Sequence, residues 1–532
     1  MDPHLSRGGP MANVHSAVLS RLLSYSDERA GTIVPDLAAS MPEQPDELTY
    51  IFHLRDGVRF HDTPFARLAH PTLAGRALLP SDVAYNFERQ IAGADSALPF
   101  YRAHQFRKVE KVRASGNSVT VKLKQPSAAF LGAMASRHQF IIAAEAIDAG
   151  GEANSASALI GTGPFALDWW EPGVAVKVRR NSAWFATNDD PHGIGGGRPY
   201  IDGVDAHLSP ESDLFARAAF DRKAIDVAAF ADPAMLEQTL STNLEDIAIE
   251  EAASGGMLAT RFLVDRPPFS DDRVRRAIHL AIDRRQLGDL LYPAFRGEAS
   301  YALTGPVAPA IDRWALPQEE LASLTAYRPE RAADLAEARR LWEAALGSMP
   351  IDGMAVLFAG VPKPLAEKAA PAVQRMLRDA LGLDIVVRVD PSGDAVLSAS
   401  LRRNAEGATE GTASFTFAFE DSGIDLDDCL FGEFHSGEPG NTYRLQDATL
   451  DAQLEKQRSE FDEQERRAIG LDIQNYLLAN VNARLDYVAP VMRRVTWGYL
   501  RNAPLPTWHG QRQRLADAWL DHAHAAWQGR PA

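Results

Sequence analysis

Apolar and polar residues alternate along this chain with two different periods, and the switches between them mark its elements. In "ELTYIFHLRDGVRF", Tyr50, Phe52 and Leu54 alternate with polar neighbours, the two-residue period of a half-buried strand. Asp56-Gly57 then predicts a hairpin turn. "NSVTVKLKQP" repeats the pattern, with Val119, Val121 and Leu123 inward and Lys122 and Lys124 outward. "DRVRRAIHLAIDRRQL" carries the helical period instead: Val274, Ala277, Ile278, Ala281 and Ile282 form one face and the arginines the other. Pro268-Phe269 with Ser270 or Asp271 opens that helix. "RPERAADLAEARRLWEAALG" predicts another, with Pro329 near its start and Gly347 placed to end it, and "LDIVVRV" supplies the next strand. Helix-then-strand alternation of this kind points to α/β lobes.

Three stretches break the pattern. "DTPFARLAHPTLA", after His61, has no clear periodicity. "TNDDPHGIGGGRPYIDG" contains Gly193, Gly195 and Gly197, which imitate a phosphate loop. That fingerprint needs a strand before the glycines and a helix after them, whereas Arg198-Pro199-Tyr200 leads into a strand, so a surface turn is expected. The opening "MDPHLSRGGPMANVHSAVLSRLL" runs from Asp-Pro-His through Gly-Gly-Pro straight into an apolar-periodic segment (Val14, Val18, Leu22). It reads like the middle of a domain.

Composition narrows the function. At 532 residues the chain holds two to four domains, and 45% hydrophobic and 24% charged residues are ordinary for a globular protein. The net charge of −16 disfavours sequence-independent nucleic-acid binding, which depends on cationic contacts to phosphates. The single cysteine, Cys429, permits no intramolecular disulfide and no cysteine-based zinc site. No apolar run approaches the length of a membrane span. The sequence has no G-x-S-x-G elbow, no H-E-x-x-H and no Walker motif, so no cofactor is expected and the chain does not read as an enzyme. His522 and His524 lack a third ligand nearby and read as a solvated helix face. The acidic run "EDSGIDLDD", Glu420 to Asp428, lacks the glycine and glutamate of a calcium loop. It follows the β-rich "SFTFAF", so it is either a solvated loop or a charged site just past a strand, where ligands of α/β lobes bind.

"YIFHLRDGVRFHD", "GTGPFAL", "RPPFSDDRVRRAIHLAIDRRQL" and "YRPERAADLAEARRLWEAALG" together resemble the family-5 extracellular solute-binding proteins of ABC importers, the group of oligopeptide-, dipeptide- and nickel-binding proteins. The resemblance spans nearly the whole chain. It implies a two-lobed periplasmic-binding-protein fold of type II-like α/β class, an extra domain, mixed sheets flanked by helices, and a ligand cleft between the lobes. The first lobe would comprise residues 1 to about 22, about 158 to 255 and about 486 to 532; a smaller inserted domain would span about 23 to 157; the second lobe would span about 256 to 485. Hinge closure would trap the ligand. The resemblance also places "MDPHLSRGG" after a signal peptide and a first strand, which implies a natural start upstream of Met1 and a periplasmic or extracytoplasmic location.

Peptide binders of this family hold their ligand as an added strand. One wall matches Arg7-Gly8-Gly9-Pro10, where Gly8 and Gly9 would let a ligand backbone approach. A second matches "AAFADP", with Phe230 and Asp232; the third is the strand end "FAFEDSG". There the resemblance makes Asp421 the partner of a peptide's α-ammonium, with Phe419 beside it and Glu420 and Asp425 as alternatives. Ala418 stands where peptide binders carry a tryptophan. The implied partners are a peptide or other small solute (an opine-like or sugar conjugate, or a metal chelate) and the permease and ATPase subunits of a transporter, with the chain itself a monomer. Relative to the family, residues 63–74 look inserted, and Leu79 stands where a helix-capping threonine is usual, followed by Pro80 at a first helical position. Two rival readings remain open: a cytoplasmic sensor on the same fold, and a hydrolase using paired carboxylates of "EDSGIDLDD".

Overall fold

A computed structural model describes residues 2–4, 9–27, 31–93, 103–147, 156–189, 194–195, 197–207, 213–230, 233–243, 246–346, 355–359, 361, 363–390, 414–421, 423–438, 440–503 and 513–528. The chain forms two compact units, the first from Met1–Ala252 with Arg493–Ala532, the second from Ala253–Met492.

Unit 1 begins with helix α1 (Gly9–Val18) and the antiparallel pair β1 (Leu23–Asp27) and β2 (Thr32–Pro35). A four-stranded antiparallel sheet follows, in the order β3 (Glu43–Asp46), β4 (Thr49–His53), β6 (Ser118–Leu123), β5 (Val109–Ser115). The alternation predicts its buried face correctly: Tyr50 and Phe52 lie opposite Val121 and Val119, and all four are buried. The expected hairpin at Asp56-Gly57 does not form. The chain does turn there, with Gly57 at φ 74°, but β4 takes β3 and β6 as partners. Val58 and Phe60 are buried beyond the turn rather than laddered back onto β4.

The stretch 63–74 contains a short helix, Pro64–Ala69, capped by Thr63, whose hydroxyl accepts from the Ala66 N–H. Helix α2 (Pro80–Gly93) starts at Pro80 as expected. The missing cap is supplied from inside the helix, because the Asp82 carboxylate accepts from the Leu79 N–H at 2.8 Å while pairing with Arg76.

A three-stranded antiparallel sheet, β7 (Phe165–Glu171), β8 (Ala175–Arg180) and β9 (Gly203–His207), packs Phe165, Leu167 and Val178 against Val18, Leu19, Phe140 and Ile142. Residues from 23–157 therefore share a core with the chain on either side. The "GTGPFAL" motif has a steric reason at this junction. A Cβ on Gly161 would meet the Val18 carbonyl oxygen at 2.1 Å, and one on Gly163 the Val18 carbonyl carbon at 2.6 Å. Only glycine lets the backbone approach α1 so closely. β10 (Val227–Ala229) pairs with Arg494–Thr496, and β11 (Ile247–Ala253) leads out of the unit. Near the C-terminus His522 and His524 lie in a turn and not on the expected helix: His522 is exposed, as expected, and stacks on Trp527, while the half-buried His524 ring accepts from the Ala526 N–H.

A small cavity beside the end of α1 is lined by Ser16, Ser20, Arg21, Asp36, Phe140 and Trp184 among others. The Ser16 hydroxyl and the Trp184 indole N–H are buried there without a hydrogen-bond partner among the described residues. Buried polar groups in native structures find partners or an ordered water. We expect a crystal structure at high resolution to show a water bonded to both groups; a dry cavity would contradict this.

Unit 2 is built on a mixed sheet. β12 (Gly256–Arg261) pairs antiparallel with β16 (Ser414–Asp421) and with the 484–492 part of β17 (Arg484–Trp497); β13 (Tyr301–Leu303) also lies on β17. β14 (Ala355–Ala359) runs parallel to both β16 and β15 (Val386–Asp390). Helices α3 (Asp272–Ala281), α4 (Arg284–Leu291), α5 (Ala332–Leu346) and α6 (Lys363–Leu381) contribute to the main core, with Ile278, Leu287, Trp342, Val373 and Leu377 joining Leu258 and Tyr487.

The run read as one helix is thus two. Ile282 leaves helical geometry, and Asp283 caps α4 by accepting from the Arg285 and Gln286 N–H groups. Asp271 caps α3 in the same way through Arg273. The arginines do not all face water: Arg275 and Arg284 are buried and spend their N–H groups on backbone carbonyls of Val481, Phe269, Asp486, His279 and Ala326.

Candidate functional site

The strand end at Phe419–Asp421 has a backbone feature suited to ligand capture. On one side, Phe419, Glu420 and Asp421 lie opposite Leu258, Met257 and Gly256 of β12. On the other, the ladder with β14 stops at Ala359 opposite Ala418. Among the described residues no strand pairs with 419–421 on that side. A strand edge of this kind leaves backbone donors and acceptors open to a further extended segment. Ala418 itself is fully buried, with Ala259 and Ala359 as its neighbours on the two flanking strands. A tryptophan there would have to displace its buried neighbour Ala259.

The loop that leaves the strand is fixed by charge. Asp425 is 6% exposed, and its carboxylate accepts from both terminal nitrogens of Arg466, at 2.8 and 2.5 Å. Asp427 is wholly buried and is held by Arg458 at 2.6 and 2.8 Å, with Gln457 at 3.2 Å. Arg458 also lies over the Phe431 ring, its guanidinium carbon 3.1 Å from the centroid. Both arginines come from a helical pair, α7 (Ala448–Ser459) and α8 (Glu463–Tyr476), or in the case of Arg458 and Arg466 from the last and first turns of those helices. Bidentate pairs of this kind combine charge with a fixed orientation. Leu426, Leu430 and Phe431 meanwhile enter a second core with Leu450, Leu454 and Ile473. Gly423 is forced by the same fold, since a Cβ there would meet the Asp428 Cβ at 2.2 Å.

The acidic run is therefore not a solvated loop: residues 423–431 are buried. Asp425, one of the alternatives for a ligand's cation, has its carboxylate engaged by Arg466. Of the other expected residues, Gly9 begins α1 and Phe230 is half-buried directly after β10, both in unit 1. Gly8 and Asp232 lie outside the described residues. Sequence reasoning missed Arg458 and Arg466 altogether. Their only signal is a pair of arginines in amphipathic helices, where exposure is the default reading.

Among the described residues no group of three or more histidine, cysteine, aspartate or glutamate side chains is placed to hold a metal, and no helix is long and apolar enough to cross a membrane.

Comparison with known proteins agrees with this architecture. The family model described as "Bacterial extracellular solute-binding proteins, family 5 Middle" matches residues 32–417. A probable di/tripeptide-binding protein 5 of Pseudomonas aeruginosa is 28% identical over 363 residues, which cover 64% of this chain and 62% of the relative. The chain thus matches less than two thirds of that relative's length. Among solved structures, the periplasmic binding protein DppA of Helicobacter pylori, in complex with the peptide STSA, superposes with a TM-score of 0.76 at 20% identity, covering 98% of this chain and 95% of that one. AgaA of A. tumefaciens R10, in complex with agropinic acid, gives 0.75 at 19% identity, covering 98% and 96%. These likenesses show the fold, a two-lobed periplasmic binding protein.

Proposed function

The chain belongs to the bacterial extracellular solute-binding proteins of family 5, and from that membership we propose that it captures a peptide or a related small solute outside the cytoplasm and delivers it to the permease of an ABC importer. The role is binding and not catalysis. The observation that carries the reading is the edge of β16 at residues 419–421, which extends past β14 and has β12 as its only described strand partner. An extended peptide added there would exchange backbone hydrogen bonds, which give affinity independent of side chain. The relatives' names favour short peptides, while AgaA with agropinic acid keeps an opine within the fold's reach. The absence of tryptophan at Ala418 favours a ligand that does not need an aromatic wall there.

The first test is native mass spectrometry of protein purified from its own source, followed by calorimetry with the ligand found. A true ligand raises the melting temperature with the logarithm of its excess over Kd, because it binds only the folded state. A panel of di- to pentapeptides and opines that neither binds nor shifts melting would sink the proposal. The three-part division into lobes and an inserted domain stays part of this reading.

Asp421 is assigned the ligand's ammonium group. Asp421→Asn keeps the shape and removes the charge, so an amine-bearing ligand is expected to bind on the order of a hundredfold more weakly, about 2.7 kcal/mol. Melting in the absence of ligand should not change. Equal affinity in the variant would transfer the role to Glu420.

A further inference from the structure

We propose that the outer face of the four-stranded sheet of unit 1 carries an activated serine, Ser118, which takes up an acyl group from a reactive aryl ester. The inference is independent of the ligand proposed at the β16 edge.

Three neighbouring strands bring its parts together. His53 closes β4 directly opposite Ser118, which opens β6. On the other side of β4, Glu43 of β3 lies opposite Ile51, two residues before His53. Residues two apart in a strand share a face. This face is the outer one: Thr49, Ile51 and His53 are half-buried, while Tyr50 and Phe52 enter the core. A Glu43 carboxylate oxygen lies 3.0 Å from His53 Nε2, and the Ser118 hydroxyl lies 2.8 Å from Nδ1.

The direction of these hydrogen bonds is fixed at the acidic end. A carboxylate can only accept, so the proton of the neutral imidazole sits on Nε2 and Nδ1 is bare. Ser118 then donates its own proton to Nδ1, which leaves the oxygen's lone pairs available to a carbon centre. Nucleophile, base and orienting acid stand in the order that activates a serine. The neighbouring Asn117 amide does not interfere, because it donates to the Leu54 carbonyl at 2.9 Å and the Asp56 carboxylate at 2.8 Å. Approach is open at the adjoining turn, where Gly116 stands at φ 57° and a Cβ on it would meet no atom within 4 Å.

On attack, the Ser118 oxygen bonds to the ester's carbonyl carbon and its proton passes to Nδ1. The bond from that carbon to the aryl oxygen breaks, the phenolate leaves, and the imidazolium beside Glu43 releases the proton to solvent. A positioned base contributes roughly 10²–10⁴-fold. Here side-chain exposures of 44% for His53 and 67% for Glu43 leave the group in water. Water competes for the hydroxyl and the base, and it must also solvate the developing oxyanion. The expected gain is therefore about tenfold, at the bottom of the range for a positioned base, and the chemistry is stoichiometric acylation rather than rapid turnover.

The test is incubation of the full chain with 4-nitrophenyl acetate, with acetylated positions followed over time by peptide mass spectrometry. Ser118 should be acetylated about tenfold faster than the other exposed serines. His53→Gln, which keeps an acceptor but not a base, should bring Ser118 down to their rate. Glu43→Gln keeps a hydrogen bond without the charge and should slow it less. Both side chains are exposed, so melting temperatures should match the native protein. A Ser118 no faster than the other serines would overturn the proposal. So would a fast Ser118 whose rate survives His53→Gln, because acylation would then reflect accessibility alone.

Discussion

Acidification from pH 7 to pH 4.5 is expected to strip several kcal/mol of stability from unit 1, through two histidines buried in the neutral form. His61 sits between the two glycines of the "GTGPFAL" motif. The Gly161 N–H can only donate and lies 3.2 Å from Nδ1; the Gly163 carbonyl can only accept and lies 3.1 Å from Nε2. The ring is thereby fixed as the Nε2-protonated tautomer. A second proton on Nδ1 would face a donor. His4 repeats the arrangement, with Nε2 donating to the Phe140 carbonyl at 2.9 Å and Nδ1 accepting from Arg89 at 2.7 Å.

Burial pushes both pKa values down from 6.5 to about 4; for His61 the Gly163 carbonyl opposes it, and for His4 Asp2 opposes while Arg89 reinforces. The folded state therefore takes up its protons later than the unfolded chain as pH falls. The stabilisation is complete above about pH 6.5, declines as pH drops toward 4, and is fully lost below it. Each histidine contributes roughly 3 kcal/mol over that window. Urea midpoints measured between pH 7.5 and 5 isolate the effect, because most carboxylates stay ionised there. His61→Gln retains an acceptor and a donor at about the same places and should flatten the dependence. Midpoints independent of pH over that range would refute the assignment. His279 in unit 2 belongs to the same class: its pKa is lowered by burial and then by Arg284, which donates to Nδ1 at 3.1 Å.

Much of this was legible in local pattern. Val119, Val121 and Leu123 alternate into the interior as written, α2 begins at Pro80, and the apolar face of α3 enters the core. Backbone partners were less legible, because a turn signal says where the chain bends and not which strand it will meet. Asp56-Gly57 bends the chain, yet β4 pairs with a strand some seventy residues later. Charged residues were the least legible. Arg275, Arg284, Asp425 and Asp427 read as solvent-facing by type, and each is buried because a partner distant in sequence satisfies it. The end of β16 was proposed from a resemblance in "FAFEDSG"; its lack of a second strand partner among the described residues depends on where the ladder with β14 ends, which no local window contains.

Replacing Asp427 by asparagine is expected to destabilise unit 2 by roughly 3–5 kcal/mol, the cost of leaving a buried charge without its counter-charge. Asp427 accepts both bonds of the Arg458 fork and one from Gln457, and both members of the pair are almost wholly inaccessible, at 0% and 4% side-chain exposure. Asparagine fills the same volume but presents one acceptor oxygen and a donor amide where Arg458 offers only donors. The guanidinium cannot escape to water, because Phe431 covers one face of it. Asp427→Asn alone would not separate a lost ion pair from a spoiled fold. The double variant Asp427→Leu with Arg458→Met removes both charges, and it should recover much of the loss if the penalty is an unpaired charge. Denaturant midpoints on the two variants decide between these causes. A single variant as stable as the native protein would mean that the loop after β16 is held by its apolar residues alone. If the charge pair holds it, the same variant should also loosen the strand end that the ligand is proposed to use, and amide exchange at residues 419–421 should accelerate together with global unfolding.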